Sequence, residues 1–384
     1  MTESFEQLRV QRTTPGLTKM IDSDDAMANA TRLTREGRLA EAVALLKSLS
    51  PARPAANGGS SLPGAASLGG NPLKRLLASS NAAALRAPTP AREPARPLPA
   101  EARFETRRHV GGAGEISYKV YVPATWRERA PLLIMLHGCH QSPDDFAAGT
   151  RMNEVAEEHG MLVAYPAQPR TANASNCWNW FRPGDQARGK GEPALIAAAT
   201  REVIRDFAAD ASRVYVAGLS AGGAAAAIMG SAYPDIYAAV GVHSGLACGA
   251  ANDVASAFAA MQKGSPVGRA ERTHSVPTIV MHGDRDRTVN VVNADDVIAQ
   301  ATAGTHTRSA VEKGRSPSGS AYTRTTYTDE RGITTVEHWL LHGLAHAWSG
   351  GSSDGSYADP RGLDASREMV RFFLQHRVAE YSAR

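Results

Sequence analysis

A serine hydroxyl is a poor nucleophile at neutral pH. It becomes a good one when an imidazole takes its proton and a third group holds that imidazole in place. Ser220 sits in Val214-Tyr215-Val216-Ala217-Gly218-Leu219-Ser220-Ala221-Gly222-Gly223, where a β-branched apolar segment runs into Gly-x-Ser-x-Gly and then into an alanine-rich stretch. That order fits a strand, a sharp turn and a helix, with glycines two before and two after the serine because side chains there would collide. Such a turn lifts the hydroxyl out of the sheet and puts the Ala221 N–H at a helix N-terminus, aimed at a developing oxyanion. A glycine-rich turn with an incidental serine is the plain alternative, and the flanking strand and helix patterns weigh against it.

Two later segments offer the other groups. Pro277-Thr278-Ile279-Val280-Met281-His282-Gly283-Asp284-Arg285-Asp286 reads as a buried strand followed by a polar turn with two aspartates. Asp286 is the expected acid, because Asp284 stands where a turn carboxylate binds its own backbone amides. His338-Trp339-Leu340-Leu341-His342-Gly343-Leu344-Ala345-His346-Ala347-Trp348 supplies the base. His338 falls inside the strand pattern, and His346 is preferred to His342 because small, flexible neighbours let a loop carry it over the serine. Ser, then Asp, then His is also the chain order of one hydrolase architecture. The strand at 132–136 ends in His137-Gly138-Cys139, which would add the Cys139 N–H as a second oxyanion donor beside Ala221; a tight turn exploiting a glycine is the simpler reading.

The segment Asn176-Cys177-Trp178-Asn179-Trp180-Phe181 is dense in rings for a chain with 6% aromatic residues. Trp178 and Trp180 are expected at a substrate pocket, with Trp348 as a further wall and Phe181 in the core. Cys139 and Cys177 would both lie near the site, either joined in a disulfide or as two free thiols. With Cys248 they make three cysteines, too few for a disulfide scaffold and without zinc-ligand spacing, so no metal is expected. The chemistry calls for no organic cofactor.

These residues need a frame. Apolar runs at 116–122, 132–136, 162–165, 214–217, 238–242, 278–281 and 335–341 alternate with helical stretches such as 194–207 and 221–232. Strands alternating with helices predict an α/β fold, a mostly parallel sheet covered on both faces. This domain is expected over 104–384. Residues 51–103, rich in Pro, Ala, Gly and Ser, read as a flexible linker. Residues 21–50 carry apolar positions at helical spacing, giving a small helical segment within 1–50 that could contact a protein partner. The formal charge of +4 over 384 residues, without a basic stripe, argues against nucleic acid. No apolar stretch is long enough to span a bilayer. The first twenty residues lack the apolar region of a secretory signal, so no Sec-type export signal is expected.

The motifs LHGCHQSPDDF, NCWNWF, GLSAGGAAA, VHSGL, HGDRDRTV and HAWSGG followed by GSYADPRGLDASREMVRFF together resemble the esterase / poly(3-hydroxybutyrate) depolymerase family of α/β-hydrolases. The resemblance covers roughly residues 104–380 and implies an α/β-hydrolase fold, with Ser220 as nucleophile, Asp286 as orienting acid and His346 as general base. It implies hydrolysis of short-chain hydroxyacid esters or oligomers, with feruloyl and acetylxylan esterases as related members. It also suggests an extracellular setting, against which the unread export signal leaves the compartment open. Acyl transfer on the same residues, or a non-catalytic binding module, are the competing readings.

Overall fold

The structure is a computed structural model and describes residues 98–265 and 276–378. The helical segment expected within 1–50 and the linker up to residue 97 lie outside the described residues.

A ten-stranded sheet forms the centre. In chain order its strands are β1 (Arg103–Gly111), β2 (Gly114–Val122), β3 (Leu132–Leu136), β4 (Leu162–Pro166), β5 (Val214–Leu219), β6 (Ala239–His243), β7 (Thr278–Gly283), β8 (Arg308–Arg315), β9 (Ala321–Thr328) and β10 (Thr334–Leu341). Their spatial order is β1-β2-β4-β3-β5-β6-β7-β10-β9-β8. The middle six, β4 to β10, pair in parallel, and antiparallel strands close both ends. All seven expected strands are present. The three that sequence did not reveal, β1, β8 and β9, belong to the antiparallel flanks, where one face or both meet water and no apolar run develops.

Each central strand divides its residues between two cores, as a period of two requires. On β3, Leu132, Ile134 and Leu136 face one cluster, and Leu133 and Met135 face the other. The first face is covered by α3 (Gly191–Asp206), α4 (Ala221–Ala232), α5 (Val254–Lys263) and α6 (Val292–Thr302). The second is covered by α1 (Pro143–Thr150), α2 (Met152–His159) and α7 (Ala365–Phe373). Among the described residues no helix is long and apolar enough to cross a membrane.

The parallel register decides where loops emerge. Leu219, His243, Met281 and Trp339 stand side by side on β5, β6, β7 and β10. The segments that follow these four strands therefore leave the sheet along one edge.

Candidate active site

Ser220 follows β5 directly and precedes α4, with φ 58° and ψ −120°. A non-glycine residue held there is strained by roughly 1–3 kcal/mol and persists only where the surroundings enforce it. The enforcement is visible. A β-carbon on Gly218 would strike Gly222 O, and one on Gly222 would strike Leu136 O on the neighbouring strand. The Ser220 N–H donates to His243 O at 2.9 Å, tying the turn to the end of β6. His140, Asn176 and Ser244, in the loops after β3, β4 and β6, also have left-handed φ values of 67°, 52° and 48°. Four of the eight non-glycine residues with positive φ among the described residues thus follow strand ends on this edge of the sheet.

The two aspartates after β7 divide two histidines between them. His346 Nδ1 donates to Asp286 Oδ2 at 2.6 Å, with both residues buried. Asp284 instead takes His342 Nδ1 at 2.9 Å and the Gly343 N–H at 2.7 Å, near the surface. The turn logic that favoured Asp286 was inverted: Asp286 Oδ1 is the acceptor for its own turn, from the Thr288 and Val289 amides at 2.9 Å each. Because the turn uses only one oxygen, the other is left for an imidazole. Burial by itself would raise the Asp286 pKa, but the His346 charge and the hydrogen bonds from His282 and His346 outweigh it and hold the carboxyl well below the usual range.

His243 links the serine to the loop that carries His346. Its carbonyl accepts from Ser220, its Nε2 accepts the Ser349 N–H at 3.1 Å, and its ring stacks on Trp348 at 5.1 Å. Burial pushes its pKa down to about 3, so it acts as a neutral acceptor. Nothing in the residue pattern singled out His243, since a histidine closing a buried strand has no periodic signature.

Cys139 lies in the loop after β3. A β-carbon built on the preceding Gly138 would stand 3.7 Å from Ser220 Cβ, which sets this loop against the Ser220 turn. Cys139 and Cys177 are joined in a disulfide. The three tryptophans expected at a pocket, Trp178 and Trp180 at its lip and Trp348 as a wall, are all buried. Trp178 and Trp348 are fully buried, their indole N–H groups donating to His137 O at 3.1 Å and Ser366 Oγ at 3.1 Å. Trp180 is buried against Phe181. Large apolar rings with satisfied donors stabilise the walls behind the loops, and the sequence pattern does not distinguish that from a pocket. Among the described residues no cluster of histidine, cysteine and carboxylate side chains suits a metal ion.

The sequence model of the family described as "Esterase PHB depolymerase" matches residues 116–307, half of the chain. The chain belongs to this family. The matched span contains Ser220 and Asp286 and stops before His346. A poly(3-hydroxyalkanoate) depolymerase C of Paucimonas lemoignei is 29% identical over 245 residues, covering 61% of this chain and 58% of the relative. A feruloyl esterase B of Neurospora crassa is 36% identical over 128 residues, 33% of this chain and 43% of its own length. The chain thus spans about half the length of these relatives. Among solved structures, an acetyl xylan esterase from Aspergillus awamori superposes with a TM-score of 0.56 at 17% identity, over 71% of this chain and 99% of that one. At that identity the likeness speaks for the fold, which is the α/β-hydrolase fold.

Proposed function

We propose that the chain is a serine hydrolase that cleaves carboxylic esters through an acyl-enzyme, acting on short-chain hydroxyacid esters or oligomers. The observation that carries this reading is the buried 2.6 Å bond between His346 Nδ1 and Asp286 Oδ2, on the same sheet edge as Ser220. Asp286 fixes the ring so that Nε2 is left to take the Ser220 proton as the hydroxyl attacks the ester carbonyl. The tetrahedral oxyanion rests on the Cys139 and Ala221 amides. His346 then protonates the leaving alcohol, and water hydrolyses the acyl-enzyme by the same route. The family and the activities for which its relatives are named, on polyhydroxyalkanoate, feruloyl and acetylxylan esters, support an ester as the scissile bond. We place the catalytic unit at residues 104–384.

Ser220→Ala is expected to keep the fold and lower p-nitrophenyl butyrate turnover by at least about a thousandfold. Turnover within tenfold of the parent would refute the assignment. A panel of hydroxybutyrate oligomers, feruloyl esters and acetylated xylan then tests the acyl group, with the hydroxybutyrate oligomers expected to be turned over fastest.

A further inference from the structure

The loop bearing Cys139 is held from behind by buried polar groups that the mechanism above does not use. In a trans peptide unit the C=O and the following N–H point in opposite directions. Whatever holds Gly138 O therefore sets the direction of the Cys139 N–H. His137 Nδ1 holds it at 2.8 Å, and Gln141 N adds a longer bond at 3.3 Å. The other His137 nitrogen, Nε2, accepts the Gln168 N–H at 3.2 Å, so the ring must be neutral with its proton on Nδ1. Burial agrees with this, pushing the His137 pKa down to about 4.

Gln168 is placed in turn by one carboxylate. Its side-chain amide donates to Glu192 Oε1 at 2.5 Å and to Cys177 O at 2.9 Å. Glu192, in the first turn of α3, also accepts Asn179 Nδ2 at 2.5 Å and the Asn179 N–H at 2.7 Å. Its carboxylate thus gathers three donors from the two ends of the 168–179 loop, the loop that is bonded through Cys177 to Cys139 itself. We propose that Glu192 is a positioning residue for the oxyanion site: through Gln168 and His137 it locks the Gly138–Cys139 peptide with its N–H towards Ser220. This rests on the proposed serine-hydrolase reading, with Ser220 as nucleophile and Cys139 as an oxyanion donor. Desolvation raises the Glu192 carboxyl to about 7, so assays at pH 8 compare a carboxylate with its replacement.

Glu192→Gln tests the role directly. An amide keeps the shape but offers one acceptor oxygen, and its NH2 faces donors that already point inward. Turnover is measured per active site, counted by complete fluorophosphonate labelling, together with KM and the inhibition constant of a trifluoromethyl ketone that forms a tetrahedral adduct. The expected result is kcat lower by about tenfold or more, a ketone inhibition constant raised by a similar factor, and KM within about twofold. His137→Asn, whose amide can replace the Nδ1 donor, is expected to keep most of kcat, and His137→Leu to lose it as Glu192→Gln does. The His137 pair decides the matter if Glu192→Gln does not fold. Unchanged kcat and inhibition per labelled site, or a fall in kcat without weaker ketone binding, would overturn the proposal. Failure of the underlying reading is separate: it would show as turnover surviving in Ser220→Ala.

Discussion

At the scale of single residues, the site turns on how two carboxylates of one turn are used. Asp284 and Asp286 are two positions apart, yet one binds an exposed histidine and the other a buried one. Asp286→Asn would leave the packing nearly unchanged but favour the wrong imidazole tautomer, so kcat should fall by about 10⁴. Asp284→Asn loses only a surface pair, and turnover should stay within about twofold. Equal losses in the two variants would contradict the division of roles. The sign of the pH effect also follows. The Asp286 pKa is depressed in the folded chain, so its contribution to stability is present above the unfolded value of about 3.9 and is lost as pH falls below it. The melting-temperature gap between the parent and Asp286→Asn should therefore hold above about pH 5 and shrink steadily below it, and a constant gap down to about pH 3 would show that the carboxylate charge is not what stabilises.

At the scale of elements, the turn at Ser220 is defined by what cannot fit. The approach of Gly222 to Leu136 O leaves no room for a β-carbon, because backbone lies on the far side and cannot swing away. Gly222→Ala should destabilise by more than about 3 kcal/mol or prevent folding, read by denaturant unfolding. Gly112→Ala, where nothing lies within 4 Å, should change stability by less than about 0.5 kcal/mol. The glycine pair was readable as a motif, and its steric reason could be anticipated from chain geometry alone. The disulfide was not readable in the same way. Cys139 and Cys177 are 38 residues apart, and only the return of β4 alongside β3 brings their loops together. Replacing both by serine should cost about 4 kcal/mol on the chain-entropy account, again by denaturant unfolding.

At the scale of the molecule, the residues proposed to do the chemistry follow strands whose ends the register aligns, β5, β6, β7 and β10. The strands that the sequence did not reveal, β1, β8 and β9, lie in the antiparallel flanks, outside the row of these four strands. A chain beginning at residue 98 should keep p-nitrophenyl butyrate turnover within about threefold of the full chain if residues 104–384 hold the whole catalytic unit. Loss of turnover in that folded fragment would show that the preceding residues take part.

Local interactions carried the features that could be read directly from the chain. The strand–turn–helix around Ser220, the continuous apolar runs of buried parallel strands and the order Ser220, Asp286, His346 depend on neighbours in sequence, where side-chain size and backbone freedom act. Which nitrogen meets which carboxylate, that the tryptophans face inward, and that Glu192 stands behind the Cys139 loop are consequences of segments meeting from distant parts of the chain. Composition is blind to those meetings, because a buried ring and a pocket wall use the same residues and differ only in what packs against them.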